Sequence, residues 1–338
     1  MNGQTTGNRG IGLFTGAAKM NIAVLGLGWW GSKLLRNFAG NPHVARVYGC
    51  DPSAARRDEA NIYPNAVLYE DPMCVLEMPD LDGVVIATPP PTHFTLAQAA
   101  FAAGKHVLMT KPPTQTLLEL AALVAAAEKK GLVFMMDSTF IYSDPMRKMR
   151  ELLDEGLFGE IGFIQSLRYG NDLRMHHIDR LRTTMLAQGT DVIRDLFFHD
   201  AAILTYLFPV ATFKPVAVHR LFSISETLCD TAMIRMEGQC FPVHVGLSWT
   251  LPERRRELLI TNSKQQLIFD DLAREEKLTL FRCEEKETTS LPHGVGEPLA
   301  NVAAHFLMCI RDGQQPFTDG RFMLKVMELF EEVLHFKQ

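Results

Sequence analysis

Residues 21–26, Asn-Ile-Ala-Val-Leu-Gly, run directly into Gly26-Leu27-Gly28-Trp29-Trp30-Gly31. Few folds accept three glycines at that spacing behind a short apolar strand. Each glycine answers a separate need. Gly26 makes the tight turn, Gly28 lets a pyrophosphate approach the backbone, and Gly31 lets a helix pack closely on the strand. The helix opening there, residues 32–38, places Leu34, Leu35 and Phe38 on its inner side and offers free N–H groups and a favourable dipole to an anion. A second strand, residues 45–50, ends at Asp51, where a carboxylate can accept both ribose hydroxyls. It would repel a 2′-phosphate, which favours NAD over NADP. Arg56 and Arg57 close behind keep NADP as the alternative.

The same rhythm continues. Residues 82–88 form an unbroken apolar strand of the kind covered on both faces. It stops at Pro89-Pro90-Pro91, where Thr92 can cap a helix running to residue 103. Residues 106–110 make another strand, halted by Lys111-Pro112-Pro113. Thr116 and Glu119 form a capping box for a helix ending at Lys129-Lys130-Gly131, and residues 132–137 are a further strand. Ligands of open α/β sheets bind beyond the carboxyl ends of the strands, so the glycine loop, Asp51, the 88–91 turn and Lys111 should share one rim.

Composition narrows the class. The chain has 338 residues, 47% of them apolar, enough for two domains. A net charge of −5 with no basic block argues against nucleic acid as a partner. The cysteines at 50, 74, 229, 240, 283 and 309 include no Cys-x-x-Cys pair, which fits neither a zinc knuckle nor a disulfide scaffold but a reducing, cytoplasmic setting. No run is long and apolar enough to span a membrane. Residues 1–19, rich in Gly, Thr and Asn, read as a disordered extension rather than a signal peptide.

After about residue 140 the pattern changes. Following a helix at 144–153, strand-like runs at 163–169, 216–222, 232–236, 243–249, 257–261, 265–269 and 278–281 follow with few helices between them. They point to one large, mostly antiparallel sheet. Helices fall at about 191–206, 300–311 and 321–336. In the first of these, Asp195 and His199 lie four apart and share a face, a polar pair among Leu196, Phe197, Phe198, Ile203 and Leu204. Taken alone, that pair is a helix-stabilising contact and Lys111 a solvated lysine. His176, His177 and Asp179 lack a third convincing ligand, so no metal site is expected.

Three separated segments join these pieces. They are Thr88-Pro89-Pro90-x-x-His93, then Gly104-Lys105-His106-Val107-Leu108-Met109-Thr110-Lys111-Pro112, and Gly189-x-x-x-x-x-Asp195-x-x-x-His199-Asp200. With the glycine loop, and in this order, they resemble the glucose-fructose oxidoreductase / inositol 2-dehydrogenase family, Gfo/Idh/MocA, from Met20 to the C-terminus. The resemblance implies an α/β chain: an N-terminal Rossmann dinucleotide-binding domain over 20–140, and over 141–338 a C-terminal α/β domain with a large, mostly antiparallel open sheet. A substrate cleft would lie between them, and self-association as a homodimer or homotetramer would use the sheet. The family's Glu before the lysine is Thr110 here. Trp30, Ser248-Trp249-x-x-Pro252 with Arg255 and Arg256, Phe269-Asp270-Asp271, Asn171, Arg174 and Pro316-x-Thr318-Asp319-Gly320 resemble the branch acting on nucleotide-linked sugars, which includes UDP-N-acetylglucosaminuronate 3-dehydrogenases.

The resemblance implies oxidation or reduction at a ring hydroxyl, with Lys111, Asp195 and His199 catalytic. Gly26, Gly28, Trp29, Trp30, Gly31, Asp51, Thr88, Pro89, Pro90, His93 and Lys111 would hold the cofactor. Asn171, Arg174, Asp195, His199, Trp249 and Arg255 would meet the substrate. A neutral imidazole at His199 could take the hydroxyl proton, with Asp195 orienting it or contacting a second hydroxyl. Lys111 would stabilise a developing alkoxide, or, with its own proton lost, act as the base. The alternatives are a dehydrogenase of a free sugar, an inositol or another small cyclic compound, and an NAD-binding sensor without turnover.

Overall fold

The computed structural model describes residues 18–170, 190–223, 226–239 and 241–337. Its first sheet is wholly parallel. Strands β1 (Met20–Leu25), β2 (Val44–Cys50), β3 (Ala66–Tyr69), β4 (Gly83–Ile86), β5 (His106–Met109) and β6 (Phe134–Met136) lie in the order β3-β2-β1-β4-β5-β6. The order reverses between β1 and β4, the crevice where ligands of such sheets bind. Helices α1 (Gly31–Ala39), α2 (Ala54–Ala60), α3 (Pro72–Leu76), α4 (His93–Ala102) and α5 (Leu117–Lys130) connect the strands. The boundaries follow local chemistry. Thr116 and Glu119 close both arms of the capping box on α5, and Gly131 ends it in the left-handed region at φ 63°.

The second sheet holds eight strands: β7 (Phe163–Tyr169), β8 (Lys214–Leu221), β9 (Thr231–Glu237), β10 (Pro242–Ser248), β11 (Arg255–Thr261), β12 (Gln265–Asp270), β13 (Leu278–Arg282) and β14 (Glu287–Ser290). Their order is β14-β13-β12-β11-β7-β10-β9-β8, antiparallel throughout except where β7 and β10 run parallel. Burial alternates along β7 and β9, so one face is packed and the other open. Helix α6 (Asp144–Asp154) precedes this sheet. A π-helical turn, Ile193–Phe197, leads into α7 (Phe198–Leu207) on its packed face.

The last two helices bind the layers together. On α8 (Pro298–Asp312), Phe306 meets Phe38 of α1 edge-on, with ring centroids 6.3 Å apart. A Cβ on Gly83 would stand 3.0 Å from the Phe306 ring, so the start of β4 is small because α8 lies on it. On α9 (Gly320–Leu334), Phe330 packs against Phe198, and the backbone at Gly320 rests on Val124. Thr318 covers the edge of β6. It accepts the Met136 N–H at 3.0 Å and donates its hydroxyl to the Met136 carbonyl at 2.9 Å. The closing Pro316-to-Gly320 motif is thus structural, with Asp319 capping α9. Among the described residues no helix is long and apolar enough to cross a membrane.

Candidate active site

The glycine loop has the backbone its sequence demands. Gly26 sits at φ 88°, and a Cβ there would lie 2.7 Å from the Ala87 carbonyl oxygen. A Cβ on Gly31 would lie 1.8 Å from the Gly26 carbonyl oxygen. At Gly28 nothing stands within 4 Å of that position. Among the described residues, the N–H groups of Gly28, Trp29, Trp30 and Gly31 meet no acceptor. Four free donors at a helix start, beside a glycine with open space over it, fit a bound pyrophosphate.

Asp51 closes the loop from the next strand. It is 2% exposed; Oδ2 accepts the Leu27 N–H at 2.8 Å and Oδ1 the Ser53 N–H at 2.9 Å. Arg56 Nη1 lies 3.3 Å from Oδ2, and Arg57 donates to the Asp51 and Pro52 carbonyls. Asp51 therefore holds the loop's shape as well as standing where a ribose would lie. Trp29 is 73% exposed, with the Lys33 ammonium 3.3 Å from its ring centroid and Trp30 stacked beside it. The Trp30 indole donates to Asp137 Oδ2 at 2.5 Å, and Thr139 donates to Oδ1. Burial raises the Asp137 carboxyl, opposed by those two hydrogen bonds. This tie from the glycine loop to the end of β6 was not anticipated.

On the same rim, Thr88 and Thr92 share a 2.7 Å hydrogen bond across the exposed Pro89 and Pro90 turn. His93 departs from the expected cofactor contact. It is fully buried, and its ring nitrogens lie 2.8 Å from the Thr88 carbonyl and 2.9 Å from the Pro112 carbonyl. A histidine enclosed in that way braces the turn against the lysine segment and cannot reach a ligand. Lys105 is likewise internal, donating to the Met78 and Leu81 carbonyls.

Lys111 reaches from the end of β5 to the π turn. Its Nζ lies 3.0 Å from Asp195 Oδ1 and 2.9 Å from the Asp195 carbonyl. A π turn is where a carbonyl most readily leaves the helical ladder. The other oxygen, Oδ2, faces the Trp249 indole N–H at 3.3 Å. Two expectations are corrected by this arrangement. Asp195 orients Lys111 rather than the His199 imidazole, and Trp249, 1% exposed, fixes Asp195 from the core rather than meeting substrate. Thr110 turns its hydroxyl to the Ile86 carbonyl, so the carboxylate beside the lysine comes from Asp195 on another element.

His199 lies edge-on to Phe140, ring centroids 4.9 Å apart. Burial first, then the cations Lys111, Arg168 and Arg256, hold its imidazole well below the usual histidine value. The ring is therefore neutral near pH 7. A cavity of about 70 Å³ opens beside it, lined by Phe140, Leu196, Arg168, Arg254 and Arg256 among others. Arg255, expected at the substrate, points elsewhere: it pairs with the exposed Glu253 at 3.1 Å. Side chains alternate along a strand, so Arg256 on β11 faces the cavity that Arg255 turns away from, and Arg254, just before the strand, stands at its mouth. Behind them Arg168 and Asp200 form a buried pair, with Nε 2.9 and 3.0 Å from the two carboxylate oxygens and the Ser166 hydroxyl donating at 2.5 Å. Asn171, Arg174, His176, His177 and Asp179 lie outside the described residues.

Residues 20–138 match the model of the Gfo/Idh/MocA oxidoreductase family, described as an NAD-binding Rossmann fold. That match covers the dinucleotide-binding part of the chain. The 1-carboxy-3-chloro-3,4-dihydroxycyclohexa-1,5-diene dehydrogenase of Comamonas testosteroni is 31% identical over 191 residues, 56% of this chain and 47% of that protein. The chain aligns with about half the length of the first curated relatives it matches. The D-apiose dehydrogenase of Paraburkholderia graminis is 27% identical over 331 residues, 91% of this chain and 85% of the relative. Among solved structures, the UDP-N-acetylglucosamine 3-dehydrogenase GnnA of Acidithiobacillus ferrooxidans superposes with a TM-score of 0.77, covering 94% of this chain and 97% of that one. At 22% identity, that likeness bears on the fold alone.

Proposed function

We propose that this chain is a Gfo/Idh/MocA-type NAD-dependent oxidoreductase acting on a ring hydroxyl of a sugar, a nucleotide-linked one such as UDP-N-acetylglucosaminuronate. One observation carries the reading: Lys111, on the rim of the dinucleotide crevice, is tied through Asp195 to the helix that holds a neutral, cation-flanked His199. The bound nicotinamide would take or give the hydride. Everything else falls to the chain. The free N–H groups of Gly28–Gly31 would bind the pyrophosphate, and Asp51 the adenosine ribose. His199 can accept the hydroxyl proton as a neutral imidazole, and the Lys111 ammonium can stabilise the developing alkoxide. Trp249 and Asp195 keep that ammonium in place. Loss of the carbon-bound hydride to the nicotinamide and of the hydroxyl proton to His199 would leave a ketone, and the reverse would start from the imidazolium.

Thr110, in place of the family's Glu, would favour a sensor without turnover if it left the lysine unpositioned. The Asp195 contact supplies the carboxylate that Thr110 lacks, so the lysine is still positioned. A free sugar or another cyclic diol is the second reading, favoured by the near full-length alignment with D-apiose dehydrogenase and by the ring diol of the Comamonas relative. Self-association through the open face of the second sheet is proposed from its half-exposed Leu167, Tyr169 and Met233.

Cofactor choice rests on Asp51, with Arg56 partly neutralising it. Titrating NADH and NADPH by fluorescence should give tighter binding of NADH, and Asp51→Ala should weaken NADH more than NADPH. Equal losses would remove the ribose role.

A further inference from the structure

We propose that the cavity between β7, β11 and α7 recognises a carboxylate carried by the reacting ring, with Arg168, Arg254 and Arg256 as its donors. The inference rests on the ring-hydroxyl chemistry proposed above and narrows the substrate to an acid.

The strand ladder sets Arg168 on β7 directly opposite Arg256 on β11. Like charges so opposed are destabilising unless something lies between or beside them. Carboxylates do lie beside them, but each leaves donors over. Asp200 spends both oxygens on the Arg168 Nε–H, at 2.9 and 3.0 Å. Arg168 is 7% exposed, and its two terminal nitrogens meet no acceptor among the described residues. Buried N–H groups without a partner cost free energy, more so on a charged group. Asp271 lies 3.5 Å from Arg256 Nη1 and is shared with Lys277 at 3.6 Å. Arg254 stands exposed at the mouth with no carboxylate partner among the described residues.

Phe140 fixes the geometry. The Arg168 guanidinium carbon lies 4.4 Å from its ring centroid and that of Arg256 6.0 Å, so one aromatic face positions both forks. Among the described residues, Arg168, Arg254 and Arg256 line the cavity with no carboxylate in its wall, while Asp200 and Asp271 pair with Arg168 and Arg256 from outside it. With His199 neutral, a positive charge is left over. Planar forks with spare N–H groups match a carboxylate bidentately. At about 70 Å³ the cavity is small, on the scale of a carboxylate group. His199 lines the same cavity, so the anion belongs to the ring whose hydroxyl it deprotonates, not to a distant diphosphate.

Binding without turnover tests this. With NADH present, calorimetry would compare UDP-N-acetylglucosaminuronate with UDP-N-acetylglucosamine, D-glucuronate with D-glucose, and UDP alone. In each sugar pair the acid should bind about tenfold tighter or more, the scale of a charge-assisted pair of hydrogen bonds. Arg254→Gln and Arg256→Gln should each reduce that ratio severalfold, whereas Arg255→Gln, on the other face, should preserve it. Circular dichroism would establish that the variants are folded. Equal affinity within both pairs, no binding by any sugar, or an undiminished ratio in both variants would overturn the carboxylate site. If Arg254→Gln and Arg256→Gln weakened UDP as much as the acid, the anion would be the diphosphate and the proposal would fail. Binding of D-glucuronate but not of UDP or either UDP-sugar would instead overturn the nucleotide-sugar reading and leave the carboxylate site standing.

Discussion

Lys111 and His199 bring different chemistry to the same hydroxyl, one a cation fixed by Asp195, the other a neutral ring among cations. Replacing either with Ala should lower kcat by roughly a hundred- to ten-thousand-fold, as loss of a proton-transfer or charge-stabilising group does. NADH affinity, measured by fluorescence, should barely change for His199→Ala. The pH profile has a definite sign. Because the imidazole is held well below about 6.5, its base form persists into acid, and kcat/KM for oxidation should fall only well below that pH. An acid limb at or above the ordinary histidine value would assign the base elsewhere. Lys111, Asp195 and His199 were legible as candidates only through the three family-like segments in order, since each taken alone is bland. Their connections were not. Spacing on a helix paired Asp195 with His199, whereas the π turn gives Asp195 to a lysine 84 positions away. Arg256 belongs to the branch motif, but the substrate contact was placed on Arg255, which strand alternation turns to the opposite face; Arg254 had no signal of its own.

At the scale of elements, the glycine loop separates architecture from binding. Gly31→Ala drives a Cβ to 1.8 Å from the Gly26 carbonyl oxygen and should destabilise the fold by about 3 kcal/mol or more in urea unfolding. Gly28→Ala meets nothing within 4 Å, so its unfolding midpoint should match the parent while NADH binding weakens about tenfold or more. A destabilised Gly28→Ala protein, or one with full NADH affinity, would contradict the assignment of that open space to pyrophosphate. The long parallel strands and capped helices could be read because their signals are local: unbroken apolar runs, a capping box, a Gly stop. β3 and β14 could not. β3 is apolar but only four residues long and half-buried, too short a run to stand out, and β14 is polar and wholly exposed at the sheet edge. The parallel pairing of β7 with β10 joins residues 79 positions apart, from Ile164 with Val243 to Tyr169 with Ser248, and leaves no local trace.

Across the whole molecule, the final helices make one block of two sheets, and a buried histidine sits where they meet. His305 on α8 stacks on Phe317 at 4.5 Å and lies 3.1 Å from the Tyr142 hydroxyl. Burial, then Arg147, push its imidazole down to about 4. The unfolded chain binds that proton near pH 6.5, so this contribution to stability is complete above that pH and is lost as pH falls toward 4. The loss is on the order of 3 kcal/mol, at 1.36 kcal/mol per pH unit. His199 acts in the same direction. Thermal unfolding between neutral and mildly acid pH should show a shallower decline for His305→Gln than for the parent. Identical slopes would mean that the histidine is not neutral in the folded state.

The most direct test of hydride transfer at this site is NADH formation from NAD, followed by absorbance, with UDP-N-acetylglucosaminuronate, UDP-N-acetylglucosamine and a panel of free sugars and cyclic diols. NADH should accumulate with at least one ring hydroxyl donor in the parent protein and fall at least a hundredfold in rate in Lys111→Ala and His199→Ala. A rate unchanged by both substitutions, or tight NADH binding with no NADH formation from any donor, would contradict catalysis by Lys111 and His199.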